Sequence, residues 1–158
     1  MLILGIETSC DETAAAVLEA KNNKIKVLSN IVSSQVKIHT PFGGVVPGLA
    51  AREHEKNLPT VFKKALKKAG IEMTKIDLIA VTQGPGLEIA LWKGINFAKE
   101  LSRRYKKPLL GINHLEAHIY SNFFKNNKVK FPALNLIVSG GHTQLVLMTG
   151  HASRLRAS

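Results

Sequence analysis

The chain has 158 residues, 45% of them hydrophobic and 21% charged, which suits one globular domain, or two small ones, and excludes a disordered polypeptide. Its 22 basic and 11 acidic residues leave a net charge of +11; a polyanion partner answers that imbalance, and so do solvated lysine-rich helix faces. No apolar run reaches the ~18–20 residues of a membrane span, and the N-terminus lacks the basic flank of a secretory signal. The single cysteine, Cys10, excludes an internal disulfide and suggests a reducing, cytoplasmic setting.

Residues 2–7 read as a buried strand, 8–12 as a polar turn and 13–18 as a second strand. A lysine-rich turn at 21–24 leads to a third strand at 25–32, which makes an antiparallel meander. A polar stretch with Pro41, Gly43, Gly44, Pro47 and Gly48 follows. A helical pattern then runs to Ala69, closed by Gly70, with Pro59 predicting a kink or two helices. Residues 76–82 read as a strand. Gly84-Pro-Gly86 turns the chain into a helix over 87–105, with Leu91, Ile95, Ala98 and Leu101 at helical spacing. A strand at 109–112, a helix at 114–124 and two strands at 133–139 and 143–148 complete the pattern.

The order βββαβαβα, then a hairpin, predicts an α/β fold with a mixed sheet and helices packed on it, βββαβα plus the first hairpin of a second lobe. That is the lobe pattern of actin-like, ribonuclease-H-like (ASKHA) proteins. Ser9-Cys-Asp-Glu-Thr13 and Ser139-Gly-Gly-His-Thr143 are both Ser-x-x-x-Thr turns between apolar strands, 130 positions apart. A duplicated two-lobe protein gives such a repeat, and so do two unrelated hairpins with common turn residues. On the first reading residues 1–132 form one lobe and 133–149 open a second. Residues 150–158 lack periodicity and acids, and read as a disordered tail.

His114-Leu-Glu-Ala-His118 sets two imidazoles at i and i+4 on one helix face, a spacing for two ligands of one divalent metal or for two surface histidines. Zinc-protease chemistry is disfavoured, because Leu115 stands where the motif needs a glutamate. His142 and Asp11 are the candidates for a third ligand. The bare backbone of the 139–143 turn can approach a phosphate or carboxylate closely, although a plain Gly-Gly hairpin has the same sequence. Asp11 and Glu12 can bind a metal or position an amine, and equally read as an acidic turn. Cys10, beside two acids, does not favour a thiolate.

Five motifs in order resemble one family. They are Ile6-Glu-Thr-Ser-Cys-Asp-Glu-Thr13; Gly43-Gly-Val-Val-Pro47 with Ala51-Arg-Glu-His54; Thr82-Gln-Gly-Pro-Gly-Leu87; Asn113-His-Leu-Glu-Ala-His118; and Val138-Ser-Gly-Gly-His-Thr143. The chain is similar over residues 1–149 to the N-terminal half of the TsaD family, the tRNA threonylcarbamoyltransferases once labelled glycoproteases. The resemblance implies transfer of threonylcarbamoyl from threonylcarbamoyl-adenylate to the exocyclic amine of an adenosine beside the tRNA anticodon. It implies one divalent metal, iron or zinc, on His114 and His118, with His142 a further candidate. Asp11 and Glu12 would serve catalysis near the amine, and Ile137, Val138, Ser139, Gly140 and Gly141 would hold substrate. The implied partners are tRNA, a TsaB-like paralogue and a TsaE-like ATPase in the cytoplasm, with no membrane.

The second lobe of the family supplies an aspartate to the metal site, so the 158-residue chain is expected to be inactive alone and to self-associate through the hairpin at 133–148. Two other readings stand beside this one. A TsaB-like scaffold paralogue shares the lobe but has no use for metal ligands. An actin-fold small-molecule kinase places non-acidic residues in the first hairpin, where Asp11 and Glu12 would repel phosphate.

Overall fold

The computed structural model describes residues 1–22, 24–122, 130–138 and 143–150, and the backbone of 156–157. Two compact units divide the chain, Met1–His114 and Leu115–Ser158.

The first unit is built on a five-stranded mixed sheet. Its strands are β1 (Leu2–Glu7), β2 (Glu12–Lys21), β3 (Lys24–Ser34), β4 (Leu78–Gly84) and β5 (Leu109–Asn113). Their spatial order is β3-β2-β1-β4-β5. The expected meander is present: β1 pairs antiparallel with β2, and β2 with β3. β4 and β5 then join parallel to β1. Such pairs need a crossover, and the long helices α2 (Pro47–Ala69) and α3 (Glu88–Tyr105) are well placed in the sequence to provide it. Their apolar stripes meet the sheet: Leu58 of α2 and Ala98 and Leu101 of α3 pack with Leu4, Ile6, Val17, Ile79 and Val81.

Gly70 ends α2 in the left-handed conformation at φ 66°, and its amide donates to the carbonyls of Leu66 and Lys67, so the expected stop is where the sequence puts it. Pro59 does not split the helix; α2 is one span from Pro47 to Ala69. Leu58, Val61 and Ala65 are buried around it, and their packing outweighs a local cost of about 3 kcal/mol for an interior proline. The polar stretch after β3 holds a short helix α1 (Val36–His39) and a 3-10 turn at Thr40–Phe42, neither evident from periodicity.

In the second unit, β6 (Ala133–Val138) and β7 (Thr143–Met148) form an antiparallel hairpin from Ala133↔Met148 to Val138↔Thr143. The helix α4 (His114–Ser121), whose first residue closes the first unit, is shorter than the 114–124 expected; residues 123–129 lie outside the described residues. Ile119 packs with Ile137, Val146 and Met148. The expected tail contributes Arg156–Ala157, which pair antiparallel with β7 as β8; the remainder of 151–158 lies outside the described residues. No helix among the described residues is long and apolar enough to cross a membrane.

Candidate functional site

The parallel strands β1, β4 and β5 end on the same edge of the sheet, and Glu7, Thr82 and His114 stand at those ends. In open α/β sheets the carboxyl edge is where ligand crevices form. Glu7 closes an apolar strand, so its side chain leaves the sheet half-buried and needs partners. The Thr82 hydroxyl donates to Glu7 Oε2 at 2.5 Å. The His114 ring approaches the same oxygen with Nδ1 at 3.2 Å. The backbone N–H of Ser9 donates to Glu7 Oε1, and Ser9 Oγ lies 3.2 Å from His114 Nδ1. Burial alone pushes the Glu7 carboxyl up, but the hydrogen bonds from His114, Ser9 and Thr82 prevail and bring it down to about 2.

Glu7 Oε2 and Ser9 Oγ both approach His114 Nδ1, and Ser9 Oγ lies farther, at 3.5 Å, from Nε2. A Ser-His-Glu relay needs the serine on the nitrogen opposite the carboxylate, whereas the shorter Ser9 contact here is on the carboxylate's own side of the ring. The turn after β1 is fixed from outside. Leu87 N–H donates to the Ser9 carbonyl at 2.7 Å, and a Cβ on Gly86 would come within 2.6 Å of that oxygen. Gly84-Pro-Gly86 therefore serves close approach of two backbones. The Thr8 hydroxyl donates to the Ala90 carbonyl at 2.9 Å, tying the same turn to α3.

Asp11 and Glu12 lie in or just after this turn. Asp11 is half-buried, and its carbonyl accepts the Gln35 N–H at 2.9 Å. Glu12 is exposed and opens β2. Burial and the charges of Asp11, Glu12 and Glu7 push the Cys10 thiol up to about 11, in keeping with its reading as no nucleophile. His118 follows His114 by one helical turn on α4 and is exposed. Ile137 is buried among Ile119, Val146 and Met148, while Val138 is exposed. Ser139, Gly140, Gly141 and His142 lie outside the described residues. Among the described residues no group of three His, Cys, Asp or Glu side chains is arranged to hold a metal.

A second polar cluster, missed from the sequence, is buried behind the turn. Val46 N–H donates to His39 Nδ1 at 3.3 Å, so the proton of that ring is on Nε2 and is given to Gln35 Oε1 at 3.0 Å. Gln35 Nε2 then donates to His54 Nδ1 at 3.3 Å, the Thr13 hydroxyl lies 2.8 Å from that nitrogen, and His54 Nε2–H donates to the Cys10 carbonyl at 3.0 Å. Every partner assignment agrees with two neutral rings. Burial lowers the pKa of His54. Glu7, Ser9 and Thr82 were also missed as site residues, although all three lie inside the quoted motifs. The available signal was an acid at the end of an apolar strand.

A βββαβα lobe with this strand order is of the ASKHA class, and solved structures share the fold. YeaZ from Pseudomonas aeruginosa matches with a TM-score of 0.63 at 14% identity, covering 100% of this chain and 66% of that one. A PPX-GPPA enzyme of Aquifex aeolicus matches with a TM-score of 0.53 at 16% identity, covering 99% of this chain and 50% of that one. The chain belongs to the TsaD family: the model of that family, described as tRNA N6-adenosine threonylcarbamoyltransferase, matches residues 26–157. Curated relatives of that name include those of Thermosipho melanesiensis (56% identical, covering 92% of this chain and 44% of the relative) and Bacillus subtilis (53% identical, covering 97% and 43%). The chain thus spans less than half the length of these relatives.

Proposed function

We propose that this chain carries the N-terminal lobe of a tRNA N6-adenosine threonylcarbamoyltransferase, an acyltransferase of the cytoplasm. The match to the family over residues 26–157 carries this reading. In the reaction the N6 amine of adenosine attacks the carbamoyl carbon of threonylcarbamoyl-adenylate. The bond from that carbon to the phosphate oxygen breaks, AMP leaves, and the amine gives up a proton. Asp11 and Glu12 would stand near that amine, and the backbone of residues 137–141 would hold the substrate.

His114 suits a metal ligand: with a carboxylate accepting at Nδ1, the neutral form of the ring has its lone pair on Nε2. His114 and His118 would hold iron or zinc, and His142 remains a candidate beside them; the metal would supply Lewis-acid polarisation of the carbamoyl carbonyl. Two ligands rarely retain a divalent ion, so the chain alone is expected to be inactive. The tRNA phosphates would meet basic faces such as Lys99, Arg103 and Arg104 of α3, which border one shallow groove with Asn96 and Glu100. A TsaB-like paralogue and a TsaE-like ATPase are the expected partners. The bare hairpin face would also let the chain associate with itself. The scaffold and kinase readings gain nothing from likenesses near 15% identity, which concern the fold.

The test is a chimera in which residues 1–149 replace the matching region of the Bacillus subtilis relative. The chimera should form threonylcarbamoyladenosine in tRNA with its partners present, and the 158-residue chain should not. His114→Ala or His118→Ala in the chimera should lose both bound metal and transfer. A folded chimera without transfer, or unchanged metal content in both variants, overturns the reading.

A further inference from the structure

Glu7 has no assigned part in the chemistry above, yet it is the most heavily hydrogen-bonded carboxylate of the carboxyl edge. We propose that Glu7 is the positioning residue of His114: it holds the imidazole in the Nδ1–H form and so makes Nε2 the lone-pair nitrogen. The tautomer and orientation are argued from geometry alone; their use in holding a metal rests on the proposed function.

An ionised carboxylate only accepts hydrogen bonds, so the ring nitrogen 3.2 Å from Glu7 Oε2 must carry the proton. Ser9 Oγ lies 3.2 Å from Nδ1 and 3.5 Å from Nε2; a hydroxyl can donate or accept at either, so it does not by itself choose a tautomer. Glu7 is in turn fixed on both oxygens. Thr82 Oγ1 holds Oε2 at 2.5 Å, and the Ser9 amide holds Oε1. Ser9 and Thr82 are themselves only 4% and 5% exposed, so these donors have little freedom to turn elsewhere. Three segments far apart in sequence therefore meet at the Glu7 carboxylate: the end of β1, the end of β4 and the start of α4. A carboxylate behind a ligating imidazole fixes ring orientation and raises ligand basicity, and loss of such a partner commonly costs 10–100-fold in metal affinity or activity.

The experiment reads the tautomer of His114 in the metal-free 158-residue chain by long-range 1H–15N correlation of the imidazole nitrogens, at a pH where the ring is neutral. The His114 signals are identified by their loss in His114→Gln. The expected result is a dominant Nδ1–H form in the parent chain and in Ser9→Ala. Glu7→Ala should shift the population toward Nε2–H, the form favoured by histidine in water. Glu7→Gln keeps an acceptor oxygen and an almost identical shape, and should retain Nδ1–H in part. A dominant Nε2–H form in the parent overturns the assignment even if Glu7→Ala fails to fold. A tautomer that follows Ser9 and ignores Glu7 overturns it as well. Because no metal, tRNA or transfer is involved, failure here is separate from failure of the chimera.

Discussion

The two sheets of this chain contain similar residues and treat them differently. In the five-stranded sheet Leu4 and Ile79 are completely buried, because α2 and α3 lay apolar stripes across them. In the hairpin of β6 and β7 only one face is covered among the described residues: Ile137, Val146 and Met148 are buried with Ile119. On the other face Leu134, Leu136 and Val138 are 64–68% exposed, joined by Leu145 and Leu147. A strand of continuous apolar residues is stable in water only with cover on both sides. The first sheet is a finished core along that face, whereas the hairpin presents a surface of the kind that binds another polypeptide.

The largest effect expected from this contrast is on stability. Leu4→Ala should destabilise the first unit by about 2–5 kcal/mol, since it opens a cavity under α2 and α3. Leu136→Thr should change stability by no more than about 0.5 kcal/mol, since its side chain gives up little burial. Urea unfolding of both variants checks the pair; equal losses would mean that the hairpin face is covered after all.

The next effect is confined to the first unit and depends on pH. The pKa of His54 lies below its ordinary 6.5 in the folded chain, mainly through burial. The unfolded chain therefore binds a proton that the folded one refuses. Stability is complete above about 6.5 and falls as pH drops from there through the folded pKa of His54. Glu7 acts in a separate window: its pKa falls from 4.5 to about 2, so its contribution fades only below 4.5. Unfolding midpoints measured from pH ~7.5 to ~5 should decline in the parent and flatten in His54→Gln. An unchanged slope in that variant would remove His54 as the cause.

The smallest effect on stability belongs to the bare face, where the change should be in association. Leu134→Lys with Leu136→Lys should reduce light scattering at micromolar concentration and leave the urea midpoint nearly unchanged. Scattering equal in parent and variant would mean that the face is not used between copies.

The particular elements show what could be read in advance. The apolar runs at Leu2–Glu7 and Leu78–Gly84, the stop at Gly70 and the helix before Tyr105 follow from local pattern, and the boundaries moved by only a few residues. Of the two outcomes expected at Pro59, the split into two helices did not occur, because local cost is visible in a sequence and the packing that offsets it is not. His114 and His118 were legible as a pair because a helix makes i and i+4 neighbours. Glu7 was not, because its partners are 75 and 107 residues away. His39, Gln35 and His54 were equally silent, since nothing in a sequence says which histidine will be buried.

The order of the main strands and long helices, the motifs of the TsaD family and the excess of positive charge can all be read from the residues alone. These depend on side-chain period, turn chemistry and residue identity, all of which are local. Folding alone makes β4 and β5 join β1 in parallel, brings their ends together and sets Glu7 against His114. Those features arise where distant segments exclude water together, and a buried carboxylate there must take whichever donors the sheet brings to it.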